Sequence, residues 1–203
     1  MQAIVDALAT FSVNIEVAAV ISNKPEAQGL DFAKQHGIAT EVIDHRGFAS
    51  REAFDDALKE RIDRYQPQLV VLAGFMRILT PKFVDHYAGR MINIHPSLLP
   101  RFPGIHTHKR ALDAGVSEHG ASVHFVTSGV DEGPVIIQAR VPVLENDDEN
   151  TLAARVLKEE HYIFPKAVEW IATGRVQLNE SGLFFDQTQR NEAILIDRYK
   201  RDP

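Results

Sequence analysis

Apolar and polar residues alternate along the first half of the chain with the two spacings that distinguish helices from strands. Helical spacing predicts the end of a helix over Gln2–Ala9 and an amphipathic helix over Ala27–His36, with Gly37 as its C′ residue. The β-branched apolar run Ile15–Ile21 lies between these helices and predicts a strand. A second, shorter strand is predicted over Thr40–Ile43.

The same alternation continues through the middle of the chain. Ser50 is suited to cap a helix over Arg51–Tyr65, and the apolar run Leu69–Ala73 is typical of a strand buried on both faces of a parallel sheet. Pro81 predicts the start of a short helix, and Met91–Ile94 predicts another strand. Because strands that alternate with helices form open sheets with right-handed crossovers, we predict an α/β fold. The expected sheet is open, mostly parallel and twisted, with helices on both faces.

The second half of the chain has longer elements. Asn150 or Thr151 is suited to cap a long helix that runs to Thr173. The other predicted elements are a helix, two neighbouring strands and a small terminal hairpin, over Thr107–Ala114, Ala121–Val126, Val135–Val143, and Val176–Leu178 with Leu183–Phe185. We expect one domain over residues 1–188 and a loosely held polar tail over residues 189–203.

Composition excludes several classes of function. The chain has 203 residues, a formal net charge of -6 and no cysteine. A disulfide scaffold, a cysteine-based zinc site and a thiol nucleophile are therefore excluded. No Lys/Arg-rich block is present, which disfavours a nucleic-acid partner. No apolar run reaches the length of a membrane span and the N-terminus lacks a signal-peptide pattern, so we expect a cytoplasmic protein.

Candidate chemistry lies at one predicted strand end, because ligands of open α/β sheets bind beyond the carboxyl ends of the strands. Asn93 and His95 are two residues apart in a strand, so they point to the same side. An amide and a protonated imidazole can both donate to an oxyanion, and the imidazole can also transfer a proton. Pro96 and Pro100 stiffen the loop that follows. The alternative is an ordinary strand end with a hydrogen-bonded core histidine.

Asp131 and the segment after Gly74 are the other candidates. Beside His95, the Asp131 carboxylate would favour the imidazolium form, raise the pKa of His95 and relay a proton. The alternative is a turn aspartate with local hydrogen bonds only. The apolar side chains of residues 75–79 are suited to sandwich a flat heterocycle, or else they form a packed loop. A charge-stabilising pair beside a carboxylate suits acyl transfer.

A metal site is the rival interpretation of the histidines. Five of them lie within thirty residues, namely His95, His106, His108, His119 and His124. His106 and His108 resemble a ligand pair, but no carboxylate or histidine lies at the helical spacing that would complete a familiar zinc site. We therefore predict no metal and assign residues 104–108 to the wall of the pocket.

Three segments together carry a specific resemblance to a known family. They are VVLAGFMRIL at residues 70–79, NIHPSLLP at residues 93–100 followed by PGIHTH at residues 103–108, and HGASVHFV at residues 119–126. On these segments the chain resembles the phosphoribosylglycinamide formyltransferases, folate-dependent enzymes of purine synthesis, over nearly its whole length. The Ser-Leu-Leu-Pro element alone is less specific, because related formyl-folate enzymes share it.

The resemblance implies a Rossmann-like formyltransferase fold, a reaction and a set of residue roles. In the family, 10-formyltetrahydrofolate gives its formyl group to the primary amine of glycinamide ribonucleotide by direct attack, without an acyl-enzyme. Asn93 and protonated His95 would hold the tetrahedral oxyanion, and Asp131 would support His95 and move the proton from the amine to the folate nitrogen. The resemblance assigns Gly74 and Glu160 to the ribonucleotide. It assigns to the folate pocket Arg51, Met76, Arg77, Ile78, Leu79, Val84, Thr127, Ser128, Gly129 and Val130. The implied partners are the small-molecule substrates, and the implied oligomeric state is a monomer or a homodimer.

The N-terminus departs from the family pattern. The family begins with a central strand and a Gly-Asn-Gly-Ser-Asn loop that binds the substrate phosphate at a helix N-terminus, whereas Met1 already lies inside that helix. We expect Met1 to be an internal methionine of a longer natural chain. If it is the true start, we expect weak ribonucleotide binding and a poorly stable fold. The alternative functions are a formyltetrahydrofolate hydrolase-like enzyme or, if Met1 is the true start, a catalytically weak folate-binding remnant.

Overall fold

The computed structural model describes residues 1–200, which form six α-helices and ten strands. The helices are α1 Gln2–Ala7, α2 Gln28–Gln35, α3 Arg51–Asp63, α4 Pro81–His86, α5 Thr107–Asp113 and α6 Glu149–Ala172. The strands are β1 Val20–Ser22, β2 Thr40–Val42, β3 Val70–Leu72, β4 Met91–His95, β5 Glu118–Phe125, β6 Val135–Pro142, β7 Val176–Asn179, β8 Gly182–Phe185, β9 Thr188–Arg190 and β10 Ile194–Asp197.

The strands form three sheets. The central sheet has five strands in the order β10-β6-β5-β4-β3. Its outer pairs, β10 with β6 and β3 with β4, are parallel, and its inner pairs are antiparallel. β1 and β2 form a separate parallel pair, and β7, β8 and β9 form an antiparallel sheet. The predicted α/β architecture is confirmed, with a central sheet that is mixed because β5 runs against both of its neighbours.

Helices cover both faces of the central sheet, as predicted. Ile92 of β4 packs in the larger apolar cluster with residues of β5, β6 and α6, whereas its neighbour Met91 packs in a second cluster with residues of α3 and α4. Adjacent residues of a strand point to opposite faces, so β4 is buried from both sides. This packing holds the end of β4, where His95 is the last residue.

β3 is shorter and less central than its apolar sequence predicts. Of Leu69–Ala73, only β3 itself pairs, and it pairs with β4 alone, so it lies at an edge of the central sheet. The Val70 amide bonds on the β4 side, so the N–H and C=O of Val71 point away from β4. Within residues 1–200, no strand pairs with that side. Ile21 of β1 nevertheless packs in the same apolar cluster as Val70, without a ladder between β1 and β3.

β1 comprises only the end of the predicted strand Ile15–Ile21, continued to Ser22. Its one partner, β2, is three residues long. Among the described residues, no strand is therefore present against which residues 15–19 could form a ladder. Strand length here is decided by the partner, which a local apolar pattern does not reveal.

The polar tail predicted from residue 189 onwards forms two strands instead. β9 extends the terminal hairpin, and β10 pairs in parallel with β6. Ile194 and Ile196 pack against the larger apolar cluster, and their burial fixes this segment to the sheet. Residues 201–203 of the predicted tail lie outside the described residues.

α6 begins earlier than predicted. Its N-cap is Asp148, whose side chain accepts from the Thr151 amide, while the Thr151 hydroxyl accepts from the Asp148 amide. This reciprocal capping box replaces the predicted cap at Asn150 or Thr151. Residues 1–200 contain no helix that combines the length and the apolar character needed to cross a bilayer.

Candidate active site

Strand β4 brings Asn93 and His95 to one side of the central sheet, as the sequence predicts. Ser122 is the cross-strand partner of His95 on β5. The Ser122 hydroxyl donates to the Ser97 carbonyl at 2.6 Å and accepts from the Leu99 amide at 3.0 Å. The loop that follows His95 is therefore tied to the sheet by a fully buried hydroxyl.

The loop between β5 and β6 brings Asp131 to the end of β4. Asp131 Oδ2 lies 3.3 Å from His95 Nδ1 and accepts from the Gly104 amide at 2.8 Å. Asp131 has a φ of 56°, in the left-handed region that aspartate tolerates better than most residues. Gly133 allows the turn to approach the sheet, because a Cβ there would lie 1.7 Å from the Phe125 carbonyl oxygen. The predicted partners His95 and Asp131 are thus in contact.

His124 is a further member of this cluster that the sequence did not single out as a site residue. Its Nε2 lies 3.3 Å from Asn93 Nδ2 and 3.6 Å from Asp131 Oδ1. His124 faces Asn93 directly across the ladder between β4 and β5. That register is the signal that would have identified it, and it is not readable from local sequence.

Hydrogen-bond partners assign the roles of these polar atoms. His124 Nδ1 lies 2.9 Å from the Phe125 carbonyl, which can only accept, so neutral His124 carries its hydrogen on Nδ1. Its Nε2 then accepts from the Asn93 amide. One N–H of Asn93 is thereby committed and orients the side chain, while the other is available to a substrate oxygen.

His95 is almost fully buried, with 6% of its surface exposed. Its Nε2 donates to the Phe102 carbonyl at 3.0 Å, while Nδ1 faces Asp131. Burial lowers the pKa of His95 below its ordinary value, and the Phe102 carbonyl and the Asp131 carboxylate act in the opposite direction. The Asp131 carboxylate acts to raise the pKa of His95, as predicted, but the cost of burying the charge exceeds that attraction, so the pKa is lowered overall.

The Asp131 side chain remains ionised in this partly buried position. Burial acts to raise the pKa of Asp131, but His124, which can donate from Nε2 only when it is protonated, the Gly104 amide and the nearby His95 hold it below its ordinary value. A carboxylate with a lowered pKa binds a proton only transiently. This property suits a group that passes a proton on.

The segment after β3 presents apolar side chains to solvent. Met76 and Ile78 are 79% and 60% exposed. The guanidinium carbon of Arg77 lies 5.0 Å from the centroid of an aromatic ring of α3. Leu79 and Val84, by contrast, are buried in the second apolar cluster. Met76 and Ile78 are accessible to a ligand, whereas Leu79 and Val84 support the segment from beneath.

Two further contacts fix this segment, and the sequence did not predict them. The buried carboxylate of Asp55, on α3, accepts from the Thr80 amide at 2.6 Å. Thr80 in turn caps α4 by accepting from the Phe83 amide. Gly74 opens the segment with a φ of 70°, which a residue with a Cβ rarely adopts.

The other predicted site residues lie around this centre. Residues 127–130 form the loop that carries Asp131, and Val130 is 49% exposed. Arg51 is the first residue of α3 and is exposed. Glu160 lies on α6, where burial raises its pKa and the Met1 amine counteracts that rise.

Two remaining histidines form a separate pair. His119 Nε2 lies 3.2 Å from His108 Nδ1, and His119 is 1% exposed. Burial is the main cause that lowers the pKa of His119 to about 4. His106 precedes α5 with a φ of 57°. Across residues 1–200, no group of three or more His, Cys, Asp or Glu side chains is arranged to hold a metal ion.

The chain matches the formyl transferase family model over residues 1–168. It is 54% identical over 186 residues to the phosphoribosylglycinamide formyltransferase of Escherichia coli (strain K12), an alignment that covers 92% of this chain and 88% of that protein.

Solved structures share its fold. The phosphoribosylglycinamide formyltransferase of Coxiella burnetii superposes with a TM-score of 0.89 at 47% identity, covering 95% of this chain and 92% of that one. Glycinamide ribonucleotide transformylase 1 of Symbiobacterium toebii gives a TM-score of 0.86 at 44% identity, covering 91% and 87%. Because the family model matches most of its length and these relatives are similar over nearly all of it, the chain belongs to the formyl transferase family.

Proposed function

We propose that this chain transfers the formyl group of 10-formyltetrahydrofolate to the primary amine of glycinamide ribonucleotide, a reaction of purine biosynthesis. The chain spans 88% of a relative named for this activity, which supports the proposal. The observation that carries it is the cluster of Asn93, His95 and Asp131 at the end of β4, where His95 contacts the Asp131 carboxylate and Asn93 is joined to that carboxylate through His124.

Asn93 and His95 stabilise the oxyanion in this mechanism. Attack of the amine nitrogen on the formyl carbon places negative charge on the formyl oxygen, which accepts from the second N–H of Asn93 and from Nδ1–H of protonated His95. The contact of His95 with Asp131 is 3.3 Å. Strong charge-assisted hydrogen bonds are shorter, about 2.7–2.9 Å, so the Nδ1–H is only weakly engaged before the substrate binds.

Asp131 acts as the proton carrier. It takes the proton that the amine nitrogen loses, and the folate nitrogen receives a proton as its bond to the formyl carbon breaks. The products are the N-formyl ribonucleotide and tetrahydrofolate, and no bond to the enzyme forms. Asp131 also favours the charged form of His95 by its negative charge.

The surroundings supply binding in this proposal. Residues 76–79 and 127–130 line the folate pocket, with Val84 beneath it and Arg51 at its edge. Gly74 and Glu160 contact the ribonucleotide. We further propose that the protein works in the cytoplasm as a monomer or homodimer.

An assay of tetrahydrofolate release tests the reaction. Purified protein is supplied with 10-formyltetrahydrofolate, with and without glycinamide ribonucleotide, and the formylated ribonucleotide is quantified. We expect folate release to require the amine and to match product formation mole for mole. Amine-independent release would indicate a hydrolase, and folate binding without turnover would indicate a binding protein; either result contradicts the proposal.

A further inference from the structure

A cavity of about 350 Å³ lies beside Asp131 and is not used by the mechanism above. Its lining residues are Leu99, Pro100, Pro103, Asp131, Glu132, Gly133 and Val135. Neither Asn93 nor His95 lines it, so it meets Asp131 on a side other than the oxyanion donors. The volume holds several water molecules, because one water needs only about 10–15 Å³ on this measure.

This cavity connects a nearly buried carboxylate to the surface. The Asp131 side chain is 12% exposed. Leu99 and Gly133 are buried and form the inner wall, whereas Pro100, Pro103 and Glu132 are exposed and form the mouth. Asp131 and Glu132, which are neighbours in sequence, both line this cavity, Asp131 at its less exposed part and Glu132 at its mouth.

The proposed reaction requires such a connection. An α-amino group has a pKa of about 8, so a glycyl amine is mostly an ammonium ion at neutral pH. An ammonium nitrogen has no lone pair and cannot attack the formyl carbon until it loses a proton. The proton that later reaches the folate nitrogen is a second one, released from the attacking nitrogen after the C–N bond forms. The first proton therefore has to leave for solvent.

We propose that the cavity is the exit path for this first proton and that Glu132 is its outer acceptor. The N–H bond of the ammonium breaks as an Asp131 oxygen takes the proton. That O–H bond then breaks as a cavity water accepts the proton, and Glu132 passes it from the water to solvent. Asp131 is a carboxylate again, the amine is neutral, and one proton has been released. This inference rests on the function proposed above.

Glu132 is an exposed lining residue of the cavity and follows Asp131 directly in the chain, which supports this role. Its carboxylate folds back over the turn, because a Cβ on Gly129 would lie 2.2 Å from Glu132 Oε2. The side chain is therefore held beside the loop that carries Asp131. Asp131 retains a proton poorly, since its pKa lies below its ordinary value. Glu132 acts through Asp131 and water and is a relay group rather than a catalytic residue.

The test measures kcat with saturating substrates in buffers of low and high concentration for the parent, Glu132→Gln, Glu132→Asp and the control Glu180→Gln. Glu180 is exposed in the turn between β7 and β8, so its variant loses the same charge far from the cavity lining. Imidazole is the rescuing buffer, because a small base can replace an outer proton acceptor. In dilute buffer we expect kcat of Glu132→Gln to fall about tenfold, less than the roughly hundredfold typical of a group that transfers the proton in the transition state itself. Concentrated imidazole should restore it.

The kcat values of these variants decide whether Glu132 serves the exit path. Glu132→Asp should retain most of the parent kcat, and the parent and Glu180→Gln should be insensitive to buffer concentration. The exit path is refuted if Glu132→Gln matches the parent, or if its deficit persists at every imidazole concentration, as a structural defect would. A parent that shows no amine-dependent folate release refutes the proposed function instead.

Discussion

At the scale of single residues, His95 lies between two acceptors. Its Nε2 faces the Phe102 carbonyl and its Nδ1 faces Asp131. A neutral imidazole has only one N–H, so one acceptor would face a lone pair, whereas the imidazolium satisfies both. Burial opposes this charge and lowers the pKa of His95. The charged form that donates to an oxyanion therefore depends on Asp131 remaining ionised.

Removing the imidazole tests its role directly. We expect His95→Ala to lower kcat/KM by at least about a hundredfold, because the variant loses an oxyanion donor whose removal typically costs that much. The matched control is His36→Ala on the exposed end of α2. Steady-state kinetics and circular dichroism measure activity and folding, and a folded His95→Ala enzyme with parent activity would disprove the mechanism.

His119 makes stability depend on pH. Its pKa is lowered to about 4 in the folded chain, chiefly by burial, against about 6.5 when unfolded. The unfolded state therefore binds more protons between these values, so stability is present above the unfolded pKa and is lost as pH falls toward the folded pKa. We expect protonation of His119 to lower the free energy of unfolding by about 2 kcal/mol as the pH falls from about 7 to about 5.

Urea unfolding at both pH values measures this loss. His119→Leu has no proton to gain at this position, so its free energy of unfolding should fall less steeply with pH than that of the parent. An identical pH slope in parent and variant would show that His119 is not the group responsible.

At the scale of elements, two loops build the site around the end of β4. Ser122 holds the loop after His95 from β5, and the Gly104 amide joins that loop to Asp131 in the loop before β6. Local sequence predicted β4 and the polar loop between β5 and β6 well, because the spacing of apolar residues and the presence of turn residues are local signals. It did not indicate His124, whose role comes from strand register.

Gly133 tests whether loop geometry controls the site. In Gly133→Ala, the new Cβ would meet the Phe125 carbonyl, so the turn must move and Asp131 with it. We expect kcat/KM to fall about tenfold or more and the free energy of unfolding to fall by about 1–3 kcal/mol, as for other overpacked sites. Kinetics and urea unfolding provide the measurement.

Gly47→Ala is the control for this change. Nothing lies within 4 Å of a Cβ built on Gly47, and its φ is not in the left-handed region. Its activity should equal that of the parent. Equal activity in Gly133→Ala as well would show that Asp131 does not depend on this turn.

At the scale of the whole molecule, the edges of the central sheet differ in how they are completed. On one side, β10 closes the sheet against β6 and is fastened by Arg140, whose guanidinium Nη2 lies 3.0 Å from an Asp197 oxygen. On the other side, one edge of β3 pairs with no strand of residues 1–200, and β1 and β2 form a separate pair. The two apolar clusters, rather than one continuous ladder, hold these parts together.

Two neighbours on β10 test its contribution. Ile196 packs against the larger apolar cluster, whereas Leu195 is 48% exposed. We expect Ile196→Asp to cost about 2–4 kcal/mol through lost burial and an unpaired charge, lowering Tm by roughly 10 °C. Leu195→Asp should change Tm little. Calorimetry measures the Tm of both variants. Equal Tm values would mean that β10 is not held by its inward face.

The sequence by itself determined the α/β class, most helices, the strand Met91–Ile94 that leads to His95, and the type of chemistry. These follow from local periodicity and from the kinds of side chain that the sequence places at the strand end. Only the tertiary structure decided strand order, the edge position of β3, the pairing of β10 and the contact of His124 with Asn93. It also decided the direction of the His95 pKa. Pairing and burial arise between segments distant in the chain, so no local pattern contains them.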